Sequence, residues 1–448
     1  MPEDRHPRHQ VEAGLRKAMA RAGGGDAAAL TRLSGGANME SWSFDCGGQG
    51  YVLRRAPSAE MMAGRPLGHA VEARIIRAAR DAGVKAPEIV VELEPADGLG
   101  TGFVMRRIVG DVNPADVLAA PPPRLLTDLA GELAAIHRTP LSALRAAPVL
   151  DVPATLADFR ARHAAYGGDR PIIALALRWL QDNLPEPAPP VLVHGDFRMG
   201  NVMVGPAGLT GVLDWELAHI GDAHEDLAYG CMTVWRFGHI DRPAFGLGGL
   251  AEYFAAYEAA GGTRVDPVRF RFWLIYRTLW WALGCLQMGE LWRSRADRSL
   301  ERVVVARRTS ENELDLLLLL EEQAPQVERD CPLSPSRPPV PPPTGEPDAE
   351  EMLAAVAEWL EADVKPHSQG REKFLVAVAM NALGMVRREL RQPALAEDGA
   401  LAKDLLEGRA TLATPGLLAR LRRAALDKLA NDVPKYAALQ KARALWGG

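Results

Sequence analysis

The sequence predicts an α+β fold of two lobes, a small β-rich N-lobe and a mainly helical C-lobe, followed by a small all-α domain. Strand-like segments are frequent early in the chain, the pattern becomes almost wholly helical from about residue 223, and a proline-rich run occupies 332–347. Strands early and helices late are typical of α+β domains. Because proline sustains neither helix nor sheet, we interpret the run as a linker. We therefore expect a two-lobed domain over 1–331 and a helical domain over 348–448.

The predicted lobes meet near residue 106. In the N-lobe, about 15–106, apolar and β-branched residues predict strands, and one helix is predicted between them. In the C-lobe, about 107–325, an apolar face of Leu126, Leu129, Leu133 and Ile136 recurs at helical spacing. The predicted strands are 51–53, 88–93, 102–105, 191–193, 202–204 and 211–213, and the predicted helices are 70–79 and 125–137.

The region after the linker predicts only helices. An apolar face runs from Met352 to Val364, a second helix covers 372–390, and others begin near 401 and 415. From Glu346 to the end, fifteen acidic and fifteen basic residues make the region neutral. No catalytic constellation is evident in it, so we expect a small bundle for interaction or stability.

Composition excludes several classes of function. Hydrophobic residues make up 48% of the 448, charged residues 24%, and the formal net charge is −5. This is the balance of a soluble globular protein, and the mildly acidic charge gives no reason to expect nucleic acid or membrane as a partner. The most apolar run, 272–288, is short for a membrane span and contains Arg277, so we expect a buried helix.

The four cysteines lie far apart and form no C-x-x-C pair, which indicates neither a zinc site nor a disulfide framework. The first residues lack the apolar stretch of a signal peptide. Both observations favour a cytoplasmic protein.

The segment 191–204, V-L-V-H-G-D-F-R-M-G-N-V-M-V, carries the first candidate chemistry. A short apolar strand precedes His194 and another follows Asn201, so a tight loop holds Asp196 and Asn201 five positions apart. Phosphoryl transfer to a hydroxyl needs a carboxylate that orients the acceptor and takes its proton. It also needs oxygen ligands for Mg²⁺ beside the phosphates, which an Asn on the same loop can supply.

Asp214 follows in G-V-L-D-W-E, at the end of another apolar segment. A carboxylate there could hold Mg²⁺ from the opposite side of the phosphates. The order H-x-D-x-x-x-x-N, strand, turn, strand and Asp is typical of kinase catalytic and metal-binding loops.

The two motifs together resemble the aminoglycoside phosphotransferase and choline kinase family, a branch of the protein-kinase-like fold, over about residues 15–320. The resemblance implies that Asp196 is the catalytic base, that His194 braces the loop, and that Asn201 and Asp214 are Mg²⁺ ligands. It also implies ATP as phosphate donor and a small-molecule hydroxyl as acceptor. The segments Y-V-L-R-R-A-P and G-D-A-H-E-D-L-A-Y are more similar to the kinase-like domains joined to acyl-CoA dehydrogenases, whose acceptor is a hydroxylated acyl group.

The N-lobe is expected to bind the nucleotide. A turn of Ser34, Gly35 and Gly36 allows backbone N–H groups to approach phosphate oxygens. By the resemblance, Arg54 occupies the position of the phosphate-binding Lys. Arg binds phosphate through two donors but differs from Lys in reach.

Two further expectations rest on the resemblance. Glu72, on the predicted helix 70–79, matches the residue that pairs with the phosphate-binding cation. Met105 and Arg106 would form the hinge whose backbone meets the adenine.

Three alternatives remain open from the sequence. The His- and Asp-rich stretch from His194 to Asp226 could bind metal in a hydrolase, although H-E-x-x-H is absent and the motif order differs from that of metallophosphoesterases. A nucleotide-binding scaffold without turnover is supported only by Arg54. An aminoglycoside or amino-sugar kinase would need an acidic pocket.

Acidic and basic candidates for the acceptor pocket both exist. The acidic residues Glu216 and Glu225 could face a substrate, whereas helix capping and hydrogen bonding are preferred for Asp222 and Asp226. The basic candidates, which could instead pair within the core, are Arg198, Arg236, Arg271 and Arg277.

Overall fold

The computed structural model describes residues 8–33, 39–62, 64–335, 345–392 and 398–447. The strands in these ranges are β1 (Ala28–Leu33), β2 (Glu40–Cys46), β3 (Gln49–Ala56), β4 (Ile89–Glu92), β5 (Thr101–Arg106), β6 (Val191–Val193), β7 (Val202–Gly205), β8 (Gly208–Val212) and β9 (His219–Gly221). The helices of the two lobes are α1 (Arg8–Arg21), α2 (His69–Asp81), α3 (Pro114–Ala119), α4 (Leu125–His137), α5 (Val152–Tyr166), α6 (Pro171–Asp182), α7 (Ala223–Tyr229), α8 (Leu250–Ala259), α9 (Pro267–Arg293), α10 (Leu300–Arg307), α11 (Thr309–Leu320) and α12 (Gln326–Arg329). The helices after the linker are α13 (Ala349–Trp359), α14 (Gly370–Arg391), α15 (Gly399–Leu406), α16 (Leu417–Asp432) and α17 (Ala437–Trp446). Short 3₁₀ turns cover Ala59–Met62, Pro95–Asp97, Leu141–Ala143, Thr233–Arg236, Glu321–Gln323 and Lys365–His367, and a π turn covers Leu360–Val364.

The N-lobe is an antiparallel sheet in the order β1-β2-β3-β5-β4. Along β3 the side chains of Tyr51 and Leu53 are buried while Val52 and Arg54 are less so, because successive residues of a strand point to opposite faces. The helix α2 packs on β4 and β5 through Ile75 and Ile76. Arg54 lies on the same side of the sheet as α2, because its side chain contacts Glu72 of that helix.

The C-lobe is organised around α9, a helix of 27 residues. Asp266 begins the helix by accepting hydrogen bonds from the N–H groups of Val268 and Arg269. Buried residues occupy most positions between Phe270 and Cys285, as expected for the apolar run 272–288. Among the helices in the described ranges, none combines the length and apolar character needed to cross a membrane.

Two short two-stranded sheets flank the motif residues. β6 pairs with β9 and β7 with β8, all antiparallel. The strand predicted at 211–213 lies earlier, at Gly208–Val212, and ends two residues before Asp214. β9 was not predicted because three residues, His-Ile-Gly, carry no alternation that a periodicity argument can detect.

The helical domain shares its core with the C-lobe. α15 packs on α6 and α16 on α11, and Leu418 and Leu429 belong to the same apolar cluster as Leu314 and Leu317. The linker also attaches to it, since Arg423 donates to the backbone oxygen of Ser334 at 2.8 Å. Residues 332–335 form neither helix nor strand, as predicted, whereas 336–344 lie outside the described residues.

The apolar face predicted from Met352 to Val364 differs from the expectation. α13 packs beside α14, but Met352 and Trp359 are 62% and 55% exposed. The packing therefore leaves these two side chains in solvent. Periodicity identified the helix correctly, but it does not indicate whether an apolar face is covered.

Truncating Leu418 to alanine is expected to lower the free energy of unfolding by about 2–5 kcal/mol, because the side chain is fully buried beside the C-lobe. Chemical denaturation measures the change. The matched control is Met352→Ala in the exposed face, for which we expect a change within about 0.5 kcal/mol. Equal effects of the two variants would show that the helical domain does not share the C-lobe core.

Candidate active site

The loop between β6 and β7 is held by one buried carboxylate. Asp226, in the first turn of α7, accepts the N–H groups of His194 and Gly195 at 2.6 and 2.9 Å and faces His137 Nε2 at 3.3 Å. Burial alone would raise the pKa of Asp226, but these donors outweigh burial and lower it. Gly195 is needed at its position, since φ is +80° and a Cβ would lie 2.5 Å from the oxygen of Leu217. The preferred interpretation of Asp226, hydrogen bonding within the C-lobe, agrees with this geometry.

His194 lies inside the loop with no exposed surface. Its Nδ1 accepts the N–H of Asp196 at 3.2 Å, and Nε2 donates to the backbone oxygen of Leu213 at 3.1 Å. The ring lies against Trp215, with 4.6 Å between ring centroids. Burial lowers the pKa of His194, so the ring is neutral and links the loop to the end of β8. This is the geometry that the brace predicted at His194 requires.

The carboxylate of Asp196 is oriented by two neighbours on its own loop. Arg198 Nε donates to Oδ1 at 2.9 Å, and Asn201 Nδ2 donates to the backbone oxygen of Asp196 at 3.0 Å and to Oδ2. Asp196 is 9% exposed. These two bonds fix the amide of Asn201 beside Asp196.

Asp214 adjoins this loop through the backbone. The N–H of Leu213 donates to the oxygen of Asn201 at 2.7 Å. Asp214 itself has φ +64°, a left-handed conformation that a non-glycine residue adopts at a local energetic cost and that often occurs at functional sites. Its side chain is 33% exposed. The structure therefore brings Asp196, Asn201 and Asp214 together as the sequence predicted.

Arg54 connects the N-lobe to this cluster. Its Nη2 lies 2.8 Å from Asp214 Oδ1 and 2.6 Å from Glu216 Oε2, and its Nε lies 3.4 Å from Glu72 Oε1. Burial works against the charge, but the three carboxylates raise the pKa of Arg54. Arg65, which sequence reasoning missed because it lies in a loop without a motif, pairs with Glu216 at 3.2 Å. The predicted pair of Arg54 and Glu72 is thus present, and Glu216 lies on the Arg54 side of the cluster.

Glu72 gives a pH prediction. Burial raises the pKa of its carboxyl to about 7, although Arg54 opposes the shift. A carboxyl whose pKa is raised in the folded state stabilises the fold most below its ordinary pKa of 4.5, and that stability is lost as the pH rises towards 7. Relative to Glu72→Gln, the wild-type free energy of unfolding should fall by about 3 kcal/mol across this window. Urea denaturation at a series of pH values measures it, and parallel curves for the two proteins would contradict it.

The predicted hinge residues lie at the end of a strand. Met105 and Arg106 lie within β5 between β3 and β4, and the N–H of Arg106 donates to Glu88 O at 2.9 Å. The contact of this backbone with adenine stays a prediction. Ser34, Gly35 and Gly36 lie outside the described residues.

Glu225 is buried in the C-lobe, so the prediction that it could face a substrate is wrong. It is 1% exposed, its Oε2 lies 3.0 Å from His219 Nε2, and its Oε1 lies 3.3 Å from Arg277 Nε. Asp222 also has structural partners, since it caps α7 and pairs with Arg269 at 2.6 Å. Both carboxylates therefore stabilise the C-lobe.

Arg277 supports the catalytic loop from α9. Its guanidinium donates to the backbone oxygen of Gly195 and lies between the rings of Tyr229 and Trp280, at 4.5 and 5.0 Å from their centroids. With 4% exposure it is a buried charge whose partners are Glu225 and these groups. The signal in the sequence was an arginine inside an apolar run, which indicated a paired core residue but not its partner.

The remaining basic candidates are also paired. Arg271 bonds to Glu322, and Arg236 donates to the backbone oxygens of Cys231 and Ile240. Arg198 is the one among them that contacts Asp196, and it lies over the Trp235 ring at 4.3 Å. Sequence reasoning missed Trp235, because nothing in the motif marks a residue 39 positions after Asp196.

The chemistry of the Asn201 and Asp214 side chains fits a Mg²⁺ ion that also binds phosphate oxygens. Within the described residues, no group of three or more His, Cys, Asp or Glu side chains could hold a metal ion. The metal hydrolase suggested by the His- and Asp-rich stretch therefore lacks its ligand set. Mg²⁺ in a kinase needs few protein ligands because phosphate oxygens and water complete the shell, and Asn201 Oδ1 with the Asp214 carboxylate would supply two.

Two family models match the chain. Residues 29–265 match the phosphotransferase enzyme family, and residues 366–436 match a domain of unknown function, DUF6285. The second match lies within the helical region after the linker.

Curated relatives match nearly half of the chain. Acyl-CoA dehydrogenase family member 10 of Mus musculus is 30% identical over 233 residues, which cover 46% of this chain and 21% of that protein. Acyl-CoA dehydrogenase family member 11 of Gallus gallus is 31% identical over 219 residues, covering 45% and 28%. The chain thus spans less than a third of the length of these two relatives. Hygromycin-B 4-O-kinase of Escherichia coli is 28% identical over 223 residues, covering 46% and 62%.

Solved structures share the fold. A proposed aminoglycoside phosphotransferase from Ralstonia eutropha JMP134 aligns with a TM-score of 0.54 at 20% identity, over 71% of this chain and 99% of that one. A thermostable mutant of aminoglycoside phosphotransferase APH(4)-Ia, in ternary complex with AMP-PNP and hygromycin B, aligns with a TM-score of 0.50 at 22% identity, over 70% and 99%. These likenesses confirm the predicted two-lobed, kinase-like α+β fold.

Proposed function

The chain belongs to the phosphotransferase enzyme family, and on that premise we propose that it transfers the γ-phosphoryl group of ATP to a hydroxyl of a neutral or anionic small molecule. One observation carries the proposal. Asp196, Asn201 and Asp214 lie in adjoining loops that hydrogen bonds hold together, and each has the chemistry that one role in phosphoryl transfer requires.

Asp196 is the general base of the proposed reaction. The acceptor oxygen forms a bond to the γ-phosphorus, the bond from that phosphorus to the bridging oxygen breaks, and ADP leaves. The proton of the acceptor hydroxyl passes to the carboxylate of Asp196. Since Arg198 and Asn201 fix both oxygens of that carboxylate, its position is set before substrate binds.

Asn201 and Asp214 would hold Mg²⁺, which supplies neutralisation of the phosphate charge when it is bound. Arg54 then provides a second positive charge from the N-lobe. The guanidinium of Arg54 contacts the carboxylate of Asp214. Arg54 can therefore restrain Asp214 and also approach the phosphates of ATP. Glu72 and Glu216 keep Arg54 ionised and in place.

The charges around Asp196 decide which acceptor we propose. A polycationic acceptor would need free carboxylates near the base, but Asp222, Glu225 and Asp226 are buried and paired, and Glu216 contacts Arg54 and Arg65. The charged side chain beside Asp196 is Arg198. A cation at this place favours an acceptor that carries a carboxylate, a phosphate or no charge, which includes a hydroxyacyl compound.

An amino-sugar kinase is the second candidate, supported by the similarity to hygromycin-B 4-O-kinase. That similarity covers 46% of this chain. A nucleotide-binding scaffold is the third, although Asp196, Asn201 and Asp214 are all present and a scaffold has no need of the complete set.

An acceptor panel separates the candidates. ADP production is measured with Mg-ATP and hydroxyacyl-CoA thioesters, free hydroxy acids, choline, amino sugars and hygromycin B. We expect turnover with a neutral or anionic hydroxyl compound. Turnover confined to the amino compounds would favour the second candidate, and Mg-ATP binding without turnover on any compound would favour the scaffold.

A further inference from the structure

A tyrosine of the helical domain reaches into the C-lobe. The hydroxyl of Tyr436 donates to Asp315 Oδ2 on α11 at 2.6 Å. Tyr436 is the last residue matched by the domain of unknown function. This hydrogen bond joins two parts of the chain that are 121 positions apart.

Asp315 in turn faces the segment that follows α7. It is 3% exposed and lines, with Thr233 and Arg236, a cavity of about 600 Å³ between the C-lobe and the helical domain. Burial raises the pKa of Asp315 to about 7, although Tyr436, Arg236 and Thr233 oppose the shift. Arg236 also donates to the backbone oxygens of Cys231 and Ile240, at 2.8 and 3.2 Å, and so holds the two sides of this turn together.

The same turn positions Trp235 against the catalytic loop. Trp235 lies between Thr233 and Arg236 in sequence and is 7% exposed. Its ring lies 4.3 Å from the guanidinium of Arg198, whose Nε donates to Asp196 Oδ1 at 2.9 Å. The route from Tyr436 to Asp196 thus consists of the hydrogen bond to Asp315, the packing of α11 against the Thr233–Arg236 turn, and the contact of Trp235 with Arg198.

We propose that the helical domain positions the catalytic base, with Tyr436 acting through Asp315, the Thr233–Arg236 turn and Trp235 on Arg198. Tyr436 is thus a positioning residue: it touches neither substrate nor the reacting atoms. The claim about turnover rests on the proposed function, whereas the claim about the order of the turn does not. A chain of contacts becomes coupling only if both ends respond to its removal, which the experiment below measures.

The experiment compares Tyr436→Phe with Asp432→Asn in the full chain. Tyr436→Phe removes one hydroxyl and keeps the ring. Asp432→Asn weakens a different contact between the same domain and the C-lobe, the ion pair to Arg307 at 3.1 Å on α10. Both variants lose a single polar contact at the domain boundary, but only the first contact leads to Trp235.

The first readout needs no turnover. Hydrogen–deuterium exchange of the backbone at 231–240 is expected to be at least fivefold faster in Tyr436→Phe and unchanged in Asp432→Asn. Unchanged exchange in Tyr436→Phe, or equal acceleration in both variants, would overturn the proposal whether or not the protein is a kinase.

The second readout uses the substrate found in the acceptor panel. We expect kcat of Tyr436→Phe to fall at least threefold with KM for ATP unchanged, and kcat of Asp432→Asn to stay at the wild-type value. Adding Tyr436→Phe to Trp235→Leu should cost nothing further, because the contact chain is already broken. Additive losses in the double variant would overturn the proposed route.

Discussion

Replacing Asp196 by asparagine is expected to lower kcat by a factor of about 10²–10⁴, the range attributed to a positioned general base. Asparagine keeps the shape of the side chain and cannot take the proton of the acceptor hydroxyl. Because Asn201 and Asp214 are unchanged, we expect the affinity for Mg-ATP, measured by calorimetry, to remain within about threefold of wild type, an effect below 1 kcal/mol.

The control for this variant is Asp182→Asn. Asp182 pairs with Arg178 on the surface of α6, where its side chain is 50% exposed. Its replacement removes the same charge from the chain and should leave kcat unchanged. A loss of less than tenfold in Asp196→Asn would contradict the role of this residue as base.

Replacing Arg277 by methionine is expected to lower the free energy of unfolding by about 3–5 kcal/mol, the cost of breaking one partner out of a buried ion pair. The variant leaves Glu225 as a buried charge and removes the donor to Gly195 O. Methionine keeps most of the apolar contact with Tyr229 and Trp280, so the loss reports the charge. Urea denaturation followed by circular dichroism measures it.

A second arginine of the same helix gives the matched control. Arg271 is 32% exposed at the side chain, and its partner Glu322 is 69% exposed. We expect Arg271→Met to cost at most about 1 kcal/mol, since solvent screens exposed ion pairs. Adding Glu225→Gln to Arg277→Met should recover part of the loss, and equal costs for Arg277→Met and Arg271→Met would refute the account of Arg277.

Local pattern predicted some elements to the residue. The helix 125–137 was predicted with the bounds that the structure has, because its apolar residues recur at helical spacing and its end is marked by a change to Thr-Pro. The strand at 211–213 was misplaced because the glycine-rich hairpin around Gly208 carries few side chains whose alternation could set its start. The motif predicted that Asp196, Asn201 and Asp214 lie in neighbouring loops, because these residues are close in sequence and short strands separate them.

Partners distant in sequence could not be predicted. Glu216 and Glu225 read alike in the sequence, yet one contacts Arg54 from the N-lobe and the other contacts Arg277 from α9. Pairing of this kind depends on tertiary packing, which a one-dimensional pattern does not contain. The same reason explains why the contact between Tyr436 and Asp315 had no signal.

The most direct test of the central claim is ³¹P NMR of wild type and Asp196→Asn, each incubated with Mg-ATP and the acceptor identified in the panel. Our account predicts that wild type converts ATP to ADP and an equal amount of a new phosphomonoester, and that neither product grows at a comparable rate in Asp196→Asn. Inorganic phosphate without a phosphomonoester, or equal product formation by the two proteins, would contradict it.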